Sequence, residues 1–405
     1  MDTTSELRQR VPLNKVPQPT SSADFVHPSG RAKYGRFRSY FRALTFSIYF
    51  TLGIVATHVT QILGSPLYFI DKDLYYAYMS LTKANFGLLT TTMTQWWAPT
   101  VIRVSGDASV AGQLSLTPDG RIECAFPERL VLIANHQIYT DWLYLWWVGY
   151  TSNPQMHGHI YIILKESLKW IPFIGPGCMF LSFIFMSRKM ATDRPRLAHR
   201  LGKLKTVHKK PDGQTYLNPM WLLLFPEGTN LSANGRNKSA AWAAKSGQQD
   251  LQHLMLPRST GMYYCLSELK GTVDYVYDCA VAYEGIPRGK FGEDYFSLSS
   301  TYFQGRPPKS VNFYWRRYAV ADIPLGSAEE FDQWMRKIWA EKDELMEQYM
   351  ATGRFPANGA GIKGHIETEV RTKHWWEFFQ IFTMLGAFGL LFNVILKLFR
   401  QILRN

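Results

Sequence analysis

The chain lacks the compact motifs that define several common enzyme chemistries. It has no Gly-x-Ser-x-Gly elbow, no glycine-rich phosphate loop and no His-Glu-x-x-His pair, so the mechanisms built on those motifs have no anchor here. Cysteine is scarce. Cys124, Cys178, Cys265 and Cys279 are far apart and form no metal-ligand spacing, a usage that suits a reducing compartment. His157 and His159 make an H-x-H pair with no acidic or cysteine ligand nearby in sequence, which reads as a turn or strand end, and no metal site is expected. Acidic residues are in deficit, 32 against 45 basic, leaving a net charge of +13. That balance points to anionic partners such as membrane headgroups or phosphates. No compact basic motif of a nucleic-acid reader accompanies it, so nucleic acid is not an expected partner.

What is present centres on residues 130–142, LVLIANHQIYTDW. The apolar run 130–134 suits a buried strand, and the apolar run 142–148 suits a helix whose first turn Thr140 or Asp141 can cap. Between them the polar residues arrive together. On one helix, His136 and Asp141 would lie roughly 140° apart, so they can meet only if the chain turns between them. A loop ending in a helix cap supplies that turn. An imidazole held by a carboxylate is the general-base half of a catalytic triad, able to deprotonate a nucleophile that arrives with the substrate. The plainer alternative is a loop histidine beside a capping aspartate.

Residues 1–40 are polar, with scattered Pro, Ser and Thr, and read as a flexible basic tail. The apolar run 41–70 starts too late and runs too long for a secretory signal. It can span a bilayer with tilt, although His58, Gln61 and the Gly64-Ser65-Pro66 break leave a kinked hairpin as the alternative. Residues 74–99 read as an amphipathic helix at the interface, or as a second crossing. Residues 375–399, with an aromatic start and Lys397, Arg400 and Arg404 near the end, form a second membrane candidate. Both ends are therefore expected in the membrane, with a linker at 353–374 and a soluble domain at 100–352.

That middle alternates apolar runs with helical patterns, the rhythm of an α/β domain with a mixed, partly parallel sheet and flanking helices. Strands are expected at 130–134, 160–164, 179–187, 221–225, 275–283 and 311–320, and helices at 142–150, 195–204 and 240–256. Ser327-x-x-Glu330 is a capping box opening a helix to about residue 349. His136, Arg188 and Glu227 each follow a strand candidate, and parallel strands would gather all three at one sheet edge, where α/β ligands bind. Each also has a plain reading: Arg188 as a solvated strand end, Glu227 as a turn residue, Lys165 as a surface lysine.

NHQIYTD at 135–141 resembles the NHxxxxD signature of the membrane glycerolipid acyltransferases of the lysophosphatidate type, and FPEGT at 225–229 resembles that family's third block. Lys165, the Pro172-to-Gly175 turn and Arg188 are similar to its second block, and 275–283 to its fourth. The resemblance implies His136 as general base, Asp141 as its orienter, and Lys165, Arg188, Glu227, Gly228 and Thr229 as substrate-binding residues. It further implies transfer of an acyl group from acyl-CoA, as co-substrate with no other cofactor, to a hydroxyl of a lysophospholipid. The expected seat is the endoplasmic reticulum membrane, with the site facing the cytosol. Where lysophosphatidate enzymes usually read EGTR, this chain has Asn230. The loss of a bidentate phosphate partner, with Arg236 and Lys238 soon after, resembles the lysocardiolipin and lysophosphatidylinositol branch and favours a phosphodiester acceptor over lysophosphatidate. A non-catalytic membrane scaffold and a CoA-independent transacylase are the competing classes.

Overall fold

The computed structural model describes residues 26–172, 174–187, 189–210, 212–357 and 364–402. Two long helices come first. α1, Arg36–Gly64, follows a cluster of basic residues and stops at the Gly64-Ser65-Pro66 break. A single turn, Leu67–Ile70, leads into α2, Lys72–Trp97, whose first N–H groups at Asp73 and Leu74 donate to the Asp71 carboxylate at 2.8 and 3.0 Å. The two run antiparallel. Tyr49 Oη meets Thr92 Oγ1 at 2.7 Å, Gln61 Nε2 donates to Thr82 Oγ1 at 3.3 Å, and Tyr78 OH donates to the Thr60 carbonyl at 2.9 Å. The return limb of the hairpin is thus α2, not a fold within 41–70.

α2 is largely covered by protein, where its sequence led us to expect an exposed amphipathic helix. It is sandwiched between α1 and the α/β domain, with Leu88, Leu89 and Met93 buried and Lys83 Nζ 3.5 Å from the Tyr161 ring centroid. Its threonines bond within their own helix, to α1, or across to Tyr302. The outward apolar face belongs to α1. Phe37, Phe41, Leu44, Ile48, Leu52, Val55, Val59 and Ile62 are exposed along one helical stripe.

The sheet strands in chain order are β1 Val101–Gly106, β2 Arg129–Ala134, β3 Ile160–Lys165, β4 Ile184–Met186, β5 Met220–Leu224, β6 Tyr275–Tyr283, β7 Ser310–Ala319 and β8 Ile366–Glu369. Their spatial order is β8-β1-β7-β6-β2-β5-β3-β4. The run β6-β2-β5-β3-β4 is parallel, and β7 pairs antiparallel to β6. β2 and β5 are unbroken apolar runs because both faces are covered. Leu130, Leu132, Trp221 and Leu223 face α1, α2 and α3 (Asp141–Thr151). Val131, Ile133, Leu222 and Leu224 face α4 (Met190–Leu204), α6 (Ser259–Leu269) and α7 (Ala328–Thr352). α5 (Ala233–Lys245) lies between α4 and α6 in the chain, and α8 (Glu377–Ile402) closes it.

Several expectations change. The strand at 179–187 shrinks to three residues, because the helix Ile174–Phe180 takes its start and Ser182 at φ 59° bends the chain. The helix at 240–256 starts seven residues earlier and ends eleven earlier: Ser232 caps it, and Ser246 and Gly247 at φ +64° end it. The tail at 1–40 falls largely outside the described residues, but the chain packs at His27, which is buried. Ser29 N–H donates to His27 Nδ1 at 3.1 Å, leaving His27 Nε2–H to donate to the Tyr295 carbonyl at 3.0 Å. Of residues 353–374, 366–369 form the edge strand β8 against β1. α8 begins on α1 and α2, with Ile381 buried and Phe378 against Trp96, whereas Leu390, Leu391 and Phe392 onward are exposed.

Close approach of α2 to the domain requires glycine at 158, where an added Cβ would stand 2.8 Å from the Ser80 carbonyl oxygen. Gly158→Ala is expected to cost about 1–3 kcal/mol, since backbone cannot rotate away. Gly202→Ala on α4, with nothing within 4 Å, should be neutral or slightly stabilising. Thermal unfolding of the two detergent-solubilised variants checks the contrast.

Candidate active site

Because β2, β5, β3 and β4 are parallel, their carboxyl ends lie along one edge. The loop from Asn135 to Thr140 follows β2, Phe225 to Thr229 follows β5, and Lys165 ends β3. Arg188 follows β4 but lies outside the described residues.

Asn135 pins the first loop to β6. Its Nδ2 donates to the Val281 carbonyl at 2.9 Å and its Oδ1 accepts from Val281 N–H at 2.7 Å. The chain then turns, and His136 Nδ1–H donates to Asp141 Oδ2 at 2.8 Å. Asp141 is fully buried at the first position of α3 and does not serve as its cap. Its Oδ2 also accepts from Ile138 N–H at 3.1 Å, and its Oδ1 accepts a short hydrogen bond from the Tyr283 hydroxyl. Three donors therefore fix the carboxylate, and the carboxylate fixes the ring. Phe225 stacks on that ring at 4.2 Å between centroids, 24° from parallel. Nε2 has no protein partner among the described residues, and the side chain is 16% exposed. The ring is thus fixed with one nitrogen left to accept a proton.

Glu227 lies behind the loop, not in the open. It is buried, its Oε1 accepts from His136 N–H at 3.4 Å, and its buried Oε2 has no hydrogen-bond partner among the described residues. Burial pushes its pKa up to about 8, against the pull of Lys342, so the acid is mainly protonated at neutral pH. Its placement supports the histidine loop from below. Leu231 N–H donates to the His136 carbonyl at 2.6 Å and ties the two loops a second time.

Gly228 adopts φ +76°, the left-handed region that favours glycine. Arg258, at the start of α6, covers it: its Cδ and Nε come within 3.4 Å of where a Cβ would stand. Thr229 is half-buried beside this turn. Asn230 Nδ2 donates to Glu293 Oε2 at 2.5 Å, and burial raises the Glu293 carboxyl. Lys165 is exposed, with β5 between its strand and β2.

Sequence reading missed Asn135, Phe225, Tyr283 and Arg258. Tyr283 ends a strand already recognised, but nothing local says its hydroxyl reaches Asp141 across 142 residues. The H-x-H pair precedes β3 as a strand entry. Burial holds His157 down to about 3 and His159 to about 4, both neutral. Among the described residues no group of three His, Cys, Asp or Glu side chains is placed to hold a metal.

A histidine held by a buried aspartate at the carboxyl edge of a parallel sheet has the geometry of a general base for a nucleophile carried by the substrate. The sequence model of the family described as Acyltransferase matches residues 118–284, and that described as Acyltransferase C-terminus matches 301–382. The chain is 36% identical over 358 residues to an uncharacterized acyltransferase of Schizosaccharomyces pombe, covering 88% of this chain and 97% of that one. It is 39% identical over 304 residues to the 2-acyl-1-lysophosphatidylinositol acyltransferase of Saccharomyces cerevisiae (68% and 76% covered). With lysocardiolipin acyltransferase 1 of Gallus gallus it shares 28% over 342 residues (81% and 79%). The chain belongs to the glycerolipid acyltransferase family, near the branch that holds the lysophosphatidylinositol and lysocardiolipin enzymes. It is a membrane protein and an O-acyltransferase acting on lysophospholipids.

Two outcomes test the site. Tyr283→Phe removes one of the three donors to Asp141 and is expected to lower kcat about tenfold with little change in KM, whereas Asp141→Asn should cost about 10²- to 10⁴-fold. Glu227→Gln tests the buried acid by pH. In the wild type the folded state keeps its proton from about 4.5 up to about 8 while the unfolded chain ionises, so stability falls as pH rises across that window. The variant lacks this loss. The gap in unfolding midpoint should therefore widen in its favour from about pH 5 to pH 8.

Proposed function

We propose that this enzyme transfers a fatty acyl chain from acyl-CoA to a free glycerol hydroxyl of lysophosphatidylinositol or another phosphodiester lysolipid. In this reading His136 Nε2 removes the hydroxyl proton, and the oxygen attacks the thioester carbonyl. The C–S bond of the tetrahedral adduct then breaks, and the imidazolium returns its proton to the CoA thiolate. Asp141 holds the ring in the tautomer that leaves Nε2 free and stabilises the imidazolium. No covalent enzyme intermediate is required.

The observation that carries the acceptor preference is the Asn230–Glu293 hydrogen bond at 2.5 Å. It commits the carboxamide to a carboxyl group, so residue 230 offers no cation to a bare phosphomonoester. A phosphodiester with a single charge needs that clamp less. The yeast relative's name, which specifies lysophosphatidylinositol, supports the same choice.

The membrane seat we infer follows from the hairpin. α1 turns its apolar stripe outward while α2 binds the domain, an arrangement that suits a helix lying in one leaflet. The outer half of α8, exposed from Leu390, enters the same bilayer. α1 begins and α2 ends together, so the site stays on the side of the amino terminus. That side is the cytosolic face of the endoplasmic reticulum, where soluble acyl-CoA is available.

Membranes carrying the protein or its His136→Ala form are supplied with one labelled acyl-CoA and a panel of lysolipids. Label should enter phosphatidylinositol above the other classes and disappear in the variant. Labelling chiefly of phosphatidic acid would refute the Asn230 argument. No His136-dependent label in any lipid, with folded protein present, would refute the acyl-CoA reaction itself.

A further inference from the structure

A cation stands close to the place that Asn230 leaves without one. Arg258 is exposed on the carboxyl edge of the sheet, and its backbone N–H donates to the Pro226 carbonyl at 2.8 Å, fastening it to the turn after β5. Its side chain lies over Gly228, with Cδ and Nε 3.4 Å and Cζ 3.6 Å from the position of an added Cβ. That turn is in direct register with the base. Glu227, next to Gly228, accepts from His136 N–H, and Leu231 donates to the His136 carbonyl.

The charge on Arg258 is not spent inside the protein. It forms no ion pair among the described residues. The acids nearest in the chain are otherwise engaged, Asp250 with Arg236 and Glu268 with Lys205. Asp332 pairs with Arg336 and accepts from the Ser259 hydroxyl, Glu293 holds Asn230, and Glu227 is buried and mainly protonated. The guanidinium of an arginine whose backbone is fastened at this turn matches the planar, two-pronged geometry of a phosphate oxygen pair.

We propose that Arg258 is the specificity-determining contact for the headgroup phosphate of the acceptor, reached from the strand-end turn at Gly228 in place of an arginine at position 230. The assignment rests on the lysolipid reading above. Approach from this side engages one face of the phosphate and leaves the other free for a substituent, as a phosphodiester requires. Glycine at 228 serves the turn itself, whose φ of +76° disfavours other residues, and the arginine rests against that turn.

The test uses the full chain in membranes with acyl-CoA and two acceptors: lysophosphatidylinositol, and monoacylglycerol, which keeps the acceptor hydroxyl and carries a second hydroxyl in place of the phosphate. Arg258→Ala should raise KM for lysophosphatidylinositol about 10- to 100-fold, the range for losing a charge-assisted hydrogen bond. The kcat, the KM for acyl-CoA and the slow acylation of monoacylglycerol should all stay within about twofold, and Arg258→Lys should recover part of the loss. Because the side chain is exposed, the unfolding midpoint should not move, which separates lost binding from lost folding. An unchanged KM for lysophosphatidylinositol overturns the proposal. So does a rise confined to acyl-CoA, which would assign the guanidinium to the donor's phosphates, or an equal loss with monoacylglycerol. A wild-type enzyme that acylates no lysolipid would overturn the underlying reading as well, and shows itself before any Arg258 variant is made.

Discussion

A carboxylate taken wholly out of water costs several kcal/mol unless donors meet its lone pairs. Asp141 is such a group, and three donors from two separate pieces of chain meet it: the His136 ring, the Ile138 backbone and the Tyr283 hydroxyl. These belong to the loop after β2 and to the end of β6, while Asp141 itself opens α3. The register of the β2–β6 pair, the start of α3 and the aim of the histidine are thus one constraint. Asn135, bonded both ways to Val281, repeats the same tie one residue earlier. Loosening any of these would leave a buried acid short of donors, which is why the site behaves as part of the core.

A second buried cluster braces the sheet from its other face. Asp278 and Arg316 are cross-strand partners on β6 and β7, and Lys342 of α7 joins them with no exposure of its own. The ion group clamps α7 against the sheet, and Lys342 Nζ also donates to the Cys279 carbonyl at 3.3 Å. Its field reaches Glu227 and moderates the effect of burial there. The site therefore rests between two polar networks, one on each face of β6, and both are shielded from solvent.

The membrane side follows a different logic. A polar helix face cannot rest in hydrocarbon without partners. α2 carries Thr, Asn and Lys, and it is this helix that the domain covers, while α1 with its continuous apolar stripe remains outside. Gly53 and Gly64 let Leu89 and Tyr78 of α2 come close to the α1 backbone. The sorting of the two helices by surface chemistry leaves both limbs of the hairpin along one side of the protein.

The sequence alone determined the α/β class, the central strands 130–134, 221–225 and 275–283, and the candidate base with its carboxylate. Those features are written locally, in unbroken apolar runs and in two residues five apart across a turn. The burial of α2 was not legible, because its polar residues find partners only in elements far along the chain. The shrunken strand at 184–186 and the shifted helix Ala233–Lys245 depended on a left-handed Ser182 and a Ser232 cap, signals weaker than the apolar pattern around them. Tertiary structure alone decided that Glu227 lies beneath the site, that Tyr283 completes the support of Asp141, and that Arg258 covers Gly228. Each is a contact between strand ends or loops separated by tens to hundreds of residues. Hydrophobic periodicity fixes which segments are buried, but only the order and direction of the strands bring their ends together.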